Sequence, residues 1–540
     1  MMNSFTPISK YAAVFGVLLP LALILPELSH AQDARKETLV VANESGPNML
    51  DIHGVGANRP SYGVAWITYD RLMTYGKKTL ANGSVTYDFT KLEPELAERW
   101  DLAKDGSGVT FYLRKNARFH DGTPVTAADV KWSFDRALAM GGFPTFQMKA
   151  GSLDKPEQFE VVNDHTFRVK FYRPDKMTMP DMAVPVASVY NSTLAKKNAT
   201  PQDPWAATWL KNNTAGGGAY KVASYKPGQE IVYERFDDWK SGPLPKLKRV
   251  IQRDVPSAGN RRALLVKGDI DMTFELPPKD FNELASEKGN IKVVATPVEN
   301  AIVYLGMNVN KPPFNNVKVR QAMAMAVPYD KIWETAMYQR GVKLYGASNT
   351  PKLPIWPQAH GYSFDIAKAK ALLAEGGFPA GFETTLSFDL GNSTIGEPMA
   401  ILIQEALAQI GVKATINKVP GANWRGALLK KDMPLIINRF GGWLNYAEYF
   451  FFWCYHGQDA VFNTMSYKDS AMDKMIENAR FPESKAIYDD QVKSFIKKSN
   501  EEVPRIPLFQ PSMDVAMQKN ITGYMYWFHL QPDYRQIVKN

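Results

Sequence analysis

Residues 92–138 constrain the fold more than any other stretch, because strand, turn and helix signals follow one another there without a break. Thr110-Phe111-Tyr112-Leu113 has strand character, with aromatic residues and a turn signal on each side. Asp105-Gly106 and Asp121-Gly122 mark those turns, and Pro124 follows the second. Thr126 is placed to start a helix, with Asp129 three residues on as an acidic form of the capping box. Val130, Phe134 and Leu138 recur at fourfold spacing and predict one buried stripe. A rigid turn with no ligand role accounts for every residue type in Phe119-His120-Asp121-Gly122.

At 540 residues the chain exceeds what one hydrophobic core sustains, so two or more lobes are expected. The N-terminus reads as a secretory signal: Lys10, an apolar stretch over residues 11–25, then Ser29-His30-Ala31 before Gln32. That stretch is too short to span a bilayer comfortably, although a retained anchor is the alternative. Cys454 is the only cysteine, so no internal disulfide can form, and none stands at the end of the signal to carry lipid. A soluble periplasmic protein, cleaved near Ala31, is the expectation. The net charge of +9 comes without a dense Lys/Arg tract, and export argues against nucleic acid. Anionic solutes and envelope surfaces stay open as partners.

The ordered series Glu95-Leu96-Ala97-Glu98-Arg99-Trp100, Thr110-Phe111-Tyr112-Leu113-Arg114, Phe119-His120-Asp121-Gly122-Thr123-Pro124 and Ala127-Ala128-Asp129-Val130-Lys131-Trp132-Ser133 resembles the signature of the family 5 extracellular solute-binding proteins. That family supplies the peptide, nickel and opine receptors of bacterial ABC importers. The resemblance implies an α/β periplasmic-binding architecture: two α/β lobes joined by a hinge, plus a small domain inserted in the first lobe. It places the signal at 1–31, the first lobe at 32–78, 205–298 and 505–540, the small domain at 79–204 and the second lobe at 299–504. The hinge crossings fall near residues 298–306 and 504–511.

The rest of the chain agrees with such a design. Thr38-Leu39-Val40-Val41-Ala42 is strand-like, and residues 65–72 read as the helix after the loop that follows it. Ala215-Gly216-Gly217-Gly218-Ala219-Tyr220 looks like the family's glycine-rich turn, with Gly217 and Ala219 where Thr and Pro are usual. A phosphate-cradling loop is the competing idea, but no Gly-Lys-Ser/Thr ending follows. Helices are predicted over residues 319–326, stopped by Pro328, after the cap Asp365, and over 394–410; residues 412–419 form a strand. Such alternation suits an α/β lobe.

Enzyme motifs are missing: the seven histidines are scattered, and no His-Glu-x-x-His, Gly-x-Ser-x-Gly or Cys-x-x-Cys occurs. A triad assembled from distant residues is the remaining enzymatic alternative, so a periplasmic hydrolase or a chaperone-like protein is the second class of function; no catalytic residue, metal ligand or cofactor is assigned. The resemblance puts the ligand near Gly441-Gly442-Trp443-Leu444-Asn445-Tyr446-Ala447-Glu448, where peptide receptors carry a Trp followed by an Asp that holds the ligand's α-ammonium. Here Asn445 takes that place if one residue is lost after Trp443, and Glu448 matches a later Asp. Trp443 and the aromatics that follow could equally fill the core of the lobe. The candidate contacts are Trp443, Asn445, Tyr446, Glu448 and Arg439, with Asn48, Tyr304 and Gln510 near the crossings. An amide in place of the carboxylate disfavours ligands with a free ammonium and favours neutral or anionic ones, unless Glu448 turns into the cleft. The expected partners are a peptide or peptide-like solute and the ABC permease at the inner membrane, with the receptor a monomer. An opine, oligosaccharide or metal chelate is the alternative ligand.

Overall fold

The backbone hydrogen bonds of a computed structural model, which describes residues 35–458 and 462–540, gather most strands into two large sheets. The signal segment and the cleavage point after Ala31 lie outside the described residues. The first sheet has seven strands, with Thr38–Asn43 at its middle, parallel to Arg249–Asp254 and Met272–Thr273. Antiparallel strands Glu230–Arg235 and Tyr220–Lys226 extend one side, Ser512–Gln518 and Ile291–Pro297 the other. The second sheet has six strands. Ala301–Met307 runs antiparallel between Leu435–Gly441 and Arg505–Gln510, and Glu383–Asp389 lies parallel to Leu435–Gly441 and Lys413–Val419. Leu39 and Val41 of the first sheet share a core with Ile302, Tyr304, Ile436 and Phe440 of the second, whose other face packs in a separate core through Leu305, Met307 and Leu386.

Two antiparallel ribbons pass from one sheet to the other. Ile291–Pro297 of the first continues into Ala301–Met307 of the second, and Arg505–Gln510 of the second continues into Ser512–Gln518 of the first. The crossings are therefore residues 298–300 and Pro511. Gln510 ties them together by donating its amide N–H to the Val298 carbonyl at 2.9 Å.

A four-stranded antiparallel sheet, Ala97–Leu102, Gly108–Leu113, Thr166–Lys170 and Phe159–Asn163, forms the small inserted unit. The helix Ala127–Ala139 packs on it through Phe134, whose ring meets Phe159 and Phe167 edge-on. Its start follows the local signals: the Asp129 carboxylate accepts from both the Thr126 N–H and its hydroxyl. Strand Met73–Thr79 pairs instead with Val85–Pro94, which pairs in turn with Tyr526–Phe528 near the C-terminus.

One helix departs from the sequence pattern. It runs Arg59–Thr68 rather than 65–72, because Asn58 caps it by accepting from the Ser61 N–H and Pro60 favours the first turn. Beyond Thr68 the chain is pulled out of helix by partners distant in sequence. Asp70 accepts from the Trp239 indole and the Ser241 hydroxyl, and Arg71 pairs with Glu95 at 2.6 Å. The glycine run fits beside this turn. Gly218 donates to Thr68 O, His120 N–H donates to Gly216 O, and a Cβ on Gly218 would stand 2.6 Å from the Tyr69 nitrogen. The run is thus a packed turn that admits no side chain.

Candidate functional site

A cleft of about 830 Å³ lies beside the crossings, between the two large sheets. Its first wall comes from the segment after the strand Thr38–Asn43, from residues 274–281 and from residues 511–514 and 529–534; its second comes from residues 389–395, 421–425 and 439–443. Phe143 of the inserted unit also reaches it. Loops at strand ends gather here because both ribbons turn at this place, which is where α/β folds hold ligands.

Trp443 stands at the centre of an aromatic wall. It is 3% exposed and meets Phe143 at 4.8 Å, Tyr62 at 5.1 Å and His529 at 5.8 Å between ring centroids. Its approach is set by Gly442, whose carbonyl accepts from the side chain of Asn300 in the crossing at 2.8 Å. A Cβ on Gly442 would press on the Tyr449 ring at 3.0 Å.

Arg59, Arg425 and Arg439 supply positive charge. Arg59 sits in the first turn of its helix, oriented by a clasp in which Asn48 and Asn58 exchange backbone-to-side-chain bonds of 3.2 and 3.0 Å. Asn48 also donates its side-chain amide to Gly56 O, so this cleft residue shapes the loop that carries Arg59. Arg439 projects from the strand Leu435–Gly441; burial and then the Arg59 charge pull its guanidinium down to about 9. Arg425 reaches the Tyr62 hydroxyl. Burial, followed by Arg59, Arg439 and Arg425, holds the His529 imidazole well below its ordinary value, so it is neutral at pH 7.

Carboxylates Glu44, Glu275 and Asp389 line other parts of the cleft. Burial and then Glu275 raise Glu44, whose N–H donates to the Glu275 carboxylate at 3.1 Å. Asp389 is occupied in capping: it accepts from Gly391 N–H at 2.9 Å and from the Asn392 amide at 2.8 Å. Asp514 faces Arg340 at 3.4 Å across the lobes.

Of the candidates read from sequence, Trp443, Arg439 and Asn48 line this cleft, whereas Asn445, Tyr446, Glu448, Tyr304 and Gln510 are not among its lining residues. Glu448 is 1% exposed and points to the inserted unit, 2.5 Å from the Lys176 ammonium and 3.1 Å from the Tyr488 hydroxyl. Tyr446 starts the helix Ala447–Cys454, its ring below Lys176. Asn445 is partly buried in the turn before it. Tyr304 is buried under Arg505 and accepts from Asn438. Arg59, Tyr62, Glu275, Asp389, Arg425 and His529 escaped the sequence reading. Only Arg59 had a local signal, the helix start at Asn58-Arg59-Pro60; the others come from separate segments brought together by the fold.

Comparison with known proteins accords with this architecture. A model of the bacterial extracellular solute-binding proteins, family 5 middle region, matches residues 91–462. The chain is similar to the probable D,D-dipeptide-binding periplasmic protein DdpA of Escherichia coli K12, 28% identical over 515 residues, 94% of this chain and 95% of that protein. It is 32% identical to heme-binding protein A of Haemophilus influenzae over 428 residues, 74% of this chain and 73% of that one. Among solved structures, the periplasmic binding protein AgaA of A. tumefaciens R10 in complex with agropinic acid superimposes with a TM-score of 0.77. That match has 26% identity and covers 93% of this chain and 99% of the other.

Proposed function

The chain belongs to the bacterial extracellular solute-binding proteins of family 5, and we propose that it is the periplasmic receptor of an ABC importer for a peptide or peptide-like solute. The observation that carries this reading is the cleft of about 830 Å³, walled from both lobes and flanked by the two crossing ribbons. Such a volume suits a small solute of a few residues. Contacts made to both walls at once exist only with the lobes together, so ligand shifts the population toward closure. The closed receptor then docks on its permease, and a separate subunit hydrolyses ATP. Trp443 and Arg439 are the contacts we assign first, with the loop of Asn48 forming one rim.

The named relatives are a probable D,D-dipeptide-binding protein and a heme-binding protein, and the structural neighbour holds agropinic acid; an opine-like conjugate is therefore the second reading. The family and these neighbours are binding proteins, and we infer binding without turnover. Among the described residues no helix is long and apolar enough to cross a membrane. The mature chain is proposed to start at Gln32.

Calorimetry with di- to tetrapeptides, paired with small-angle scattering, tests the reading. Saturable one-to-one binding with a smaller radius in the bound form is expected. Steady conversion of the bound solute to product would overturn it.

A further inference from the structure

The two deepest cations of the cleft come from opposite lobes: Arg59 from the first, Arg439 from the second. Neither makes an ion pair or a side-chain hydrogen bond with any described residue, and the Arg59 Nε is shut off from solvent without a partner. Glu275 and Asp389 act on both only at longer range, and their influence is outweighed by burial and, for Arg439, by the neighbouring Arg59 charge as well. The buried guanidiniums elsewhere have acceptors: Arg136 and Arg71 pair with Asp51 and Glu95, while Arg261, Arg320 and Arg505 donate to backbone carbonyls. Both are half-buried, and a partly desolvated cation without a matched acceptor favours an anion that binds there.

We propose that Arg59 and Arg439 form an oxyanion clamp across the lobes, and that the ligand of this cleft presents two acidic groups to it, as a dicarboxylate does. This rests on the importer-receptor reading and adds the chemistry of its solute. Two guanidinium forks match two carboxylates, each through paired charge-assisted bonds. A single carboxylate leaves one cation uncompensated. The clamp also couples recognition to closure, because the two forks meet one head group only when the lobes come together. The carboxylates Glu44 and Glu275 set the polarity of the remaining space and repel a further anion there.

The test uses succinate, succinamate and succinamide as probes of two, one and no carboxylates, with inorganic phosphate as a separate arm. Binding is read from thermal unfolding and from the NMR signal of His529, whose proton affinity rises when the neighbouring guanidiniums are neutralised. Succinate is expected to bind about tenfold more tightly than succinamate, the order of one charge-assisted bond. Arg59→Gln and Arg439→Gln should each erase that preference, and Arg439→Lys, which keeps charge but loses the fork, should keep part of it. Should a glutamine variant not fold, the lysine variant and the wild-type probe series still decide. Equal responses to succinate and succinamate, or none to either, overturn the clamp. An equal response to phosphate overturns the dicarboxylate assignment in favour of a general anion site. Peptide binding with closure in the same preparations leaves the receptor reading standing whichever way the clamp falls.

Discussion

Replacing Asp51 by alanine is expected to cost about 3–5 kcal/mol of folding stability, the range for stranding one member of a buried ion pair. Asp51 is buried on the loop between Asn48 and Arg59, and Arg136 is buried on the helix Ala127–Ala139. The two guanidinium nitrogens of Arg136 donate to the Asp51 carboxylate at 3.0 and 2.6 Å, and the Tyr190 hydroxyl and His53 N–H add bonds of 3.0 Å each. Burial pushes the carboxyl up, but the charge and bonds of Arg136 outweigh it and hold it below the ordinary value. A depressed carboxyl contributes stability that is present above its unfolded value and lost as pH falls through the folded one, so the effect is complete at pH 7. Adding Arg136→Met to Asp51→Ala removes the stranded cation and should recover about 2 kcal/mol. The loss of the two bonds from the Tyr190 hydroxyl and the His53 N–H to the carboxylate remains. Urea unfolding followed by tryptophan fluorescence measures all three variants, since Trp132 and Trp205 adjoin the pair. A double variant as unstable as the sum of both singles would refute the reasoning, because the cost would then not arise from an unpaired charge.

Acid stability offers a second check. Burial pulls the imidazoles of His53, His120 and His360 down to about 4, so each takes up its proton in the unfolded chain first, and stability falls as pH drops from about 6.5 toward 4. His120→Gln, which can still donate to Gly218 O, should reduce the slope of unfolding free energy in that window by about 1.4 kcal/mol per pH unit; an unchanged slope refutes this. Glu448→Gln should alter solute affinity by less than about twofold while lowering stability by about 1–3 kcal/mol, since the carboxylate serves Lys176 and Tyr488 outside the cleft. Calorimetry with a free peptide and its N-acetylated form decides, and affinity for the free peptide that collapses in this variant would give the ammonium to Glu448.

Local chemistry wrote much of this protein in its sequence. Thr126 and Asp129 close a helix end with their own side chains, Asp365 caps Ile366–Glu375 by accepting from Lys368 N–H, and alternating segments declare an α/β chain. Each of those features depends on residues a few positions apart, so it is readable in one dimension. Tertiary structure alone decided the rest. The strand Arg505–Gln510 belongs to the second sheet because it pairs with Ala301–Met307, far earlier in the chain, and Pro511 thereby becomes the crossing. Glu448 turned to Lys176 instead of the cleft because a buried carboxylate goes where a cation can match it, and that cation sits on the inserted unit. Arg59, Arg439 and His529 meet only because three separate segments end at the same gap between lobes. No spacing along the chain records that meeting, since it is fixed by strand pairing and lobe packing rather than by neighbouring residues.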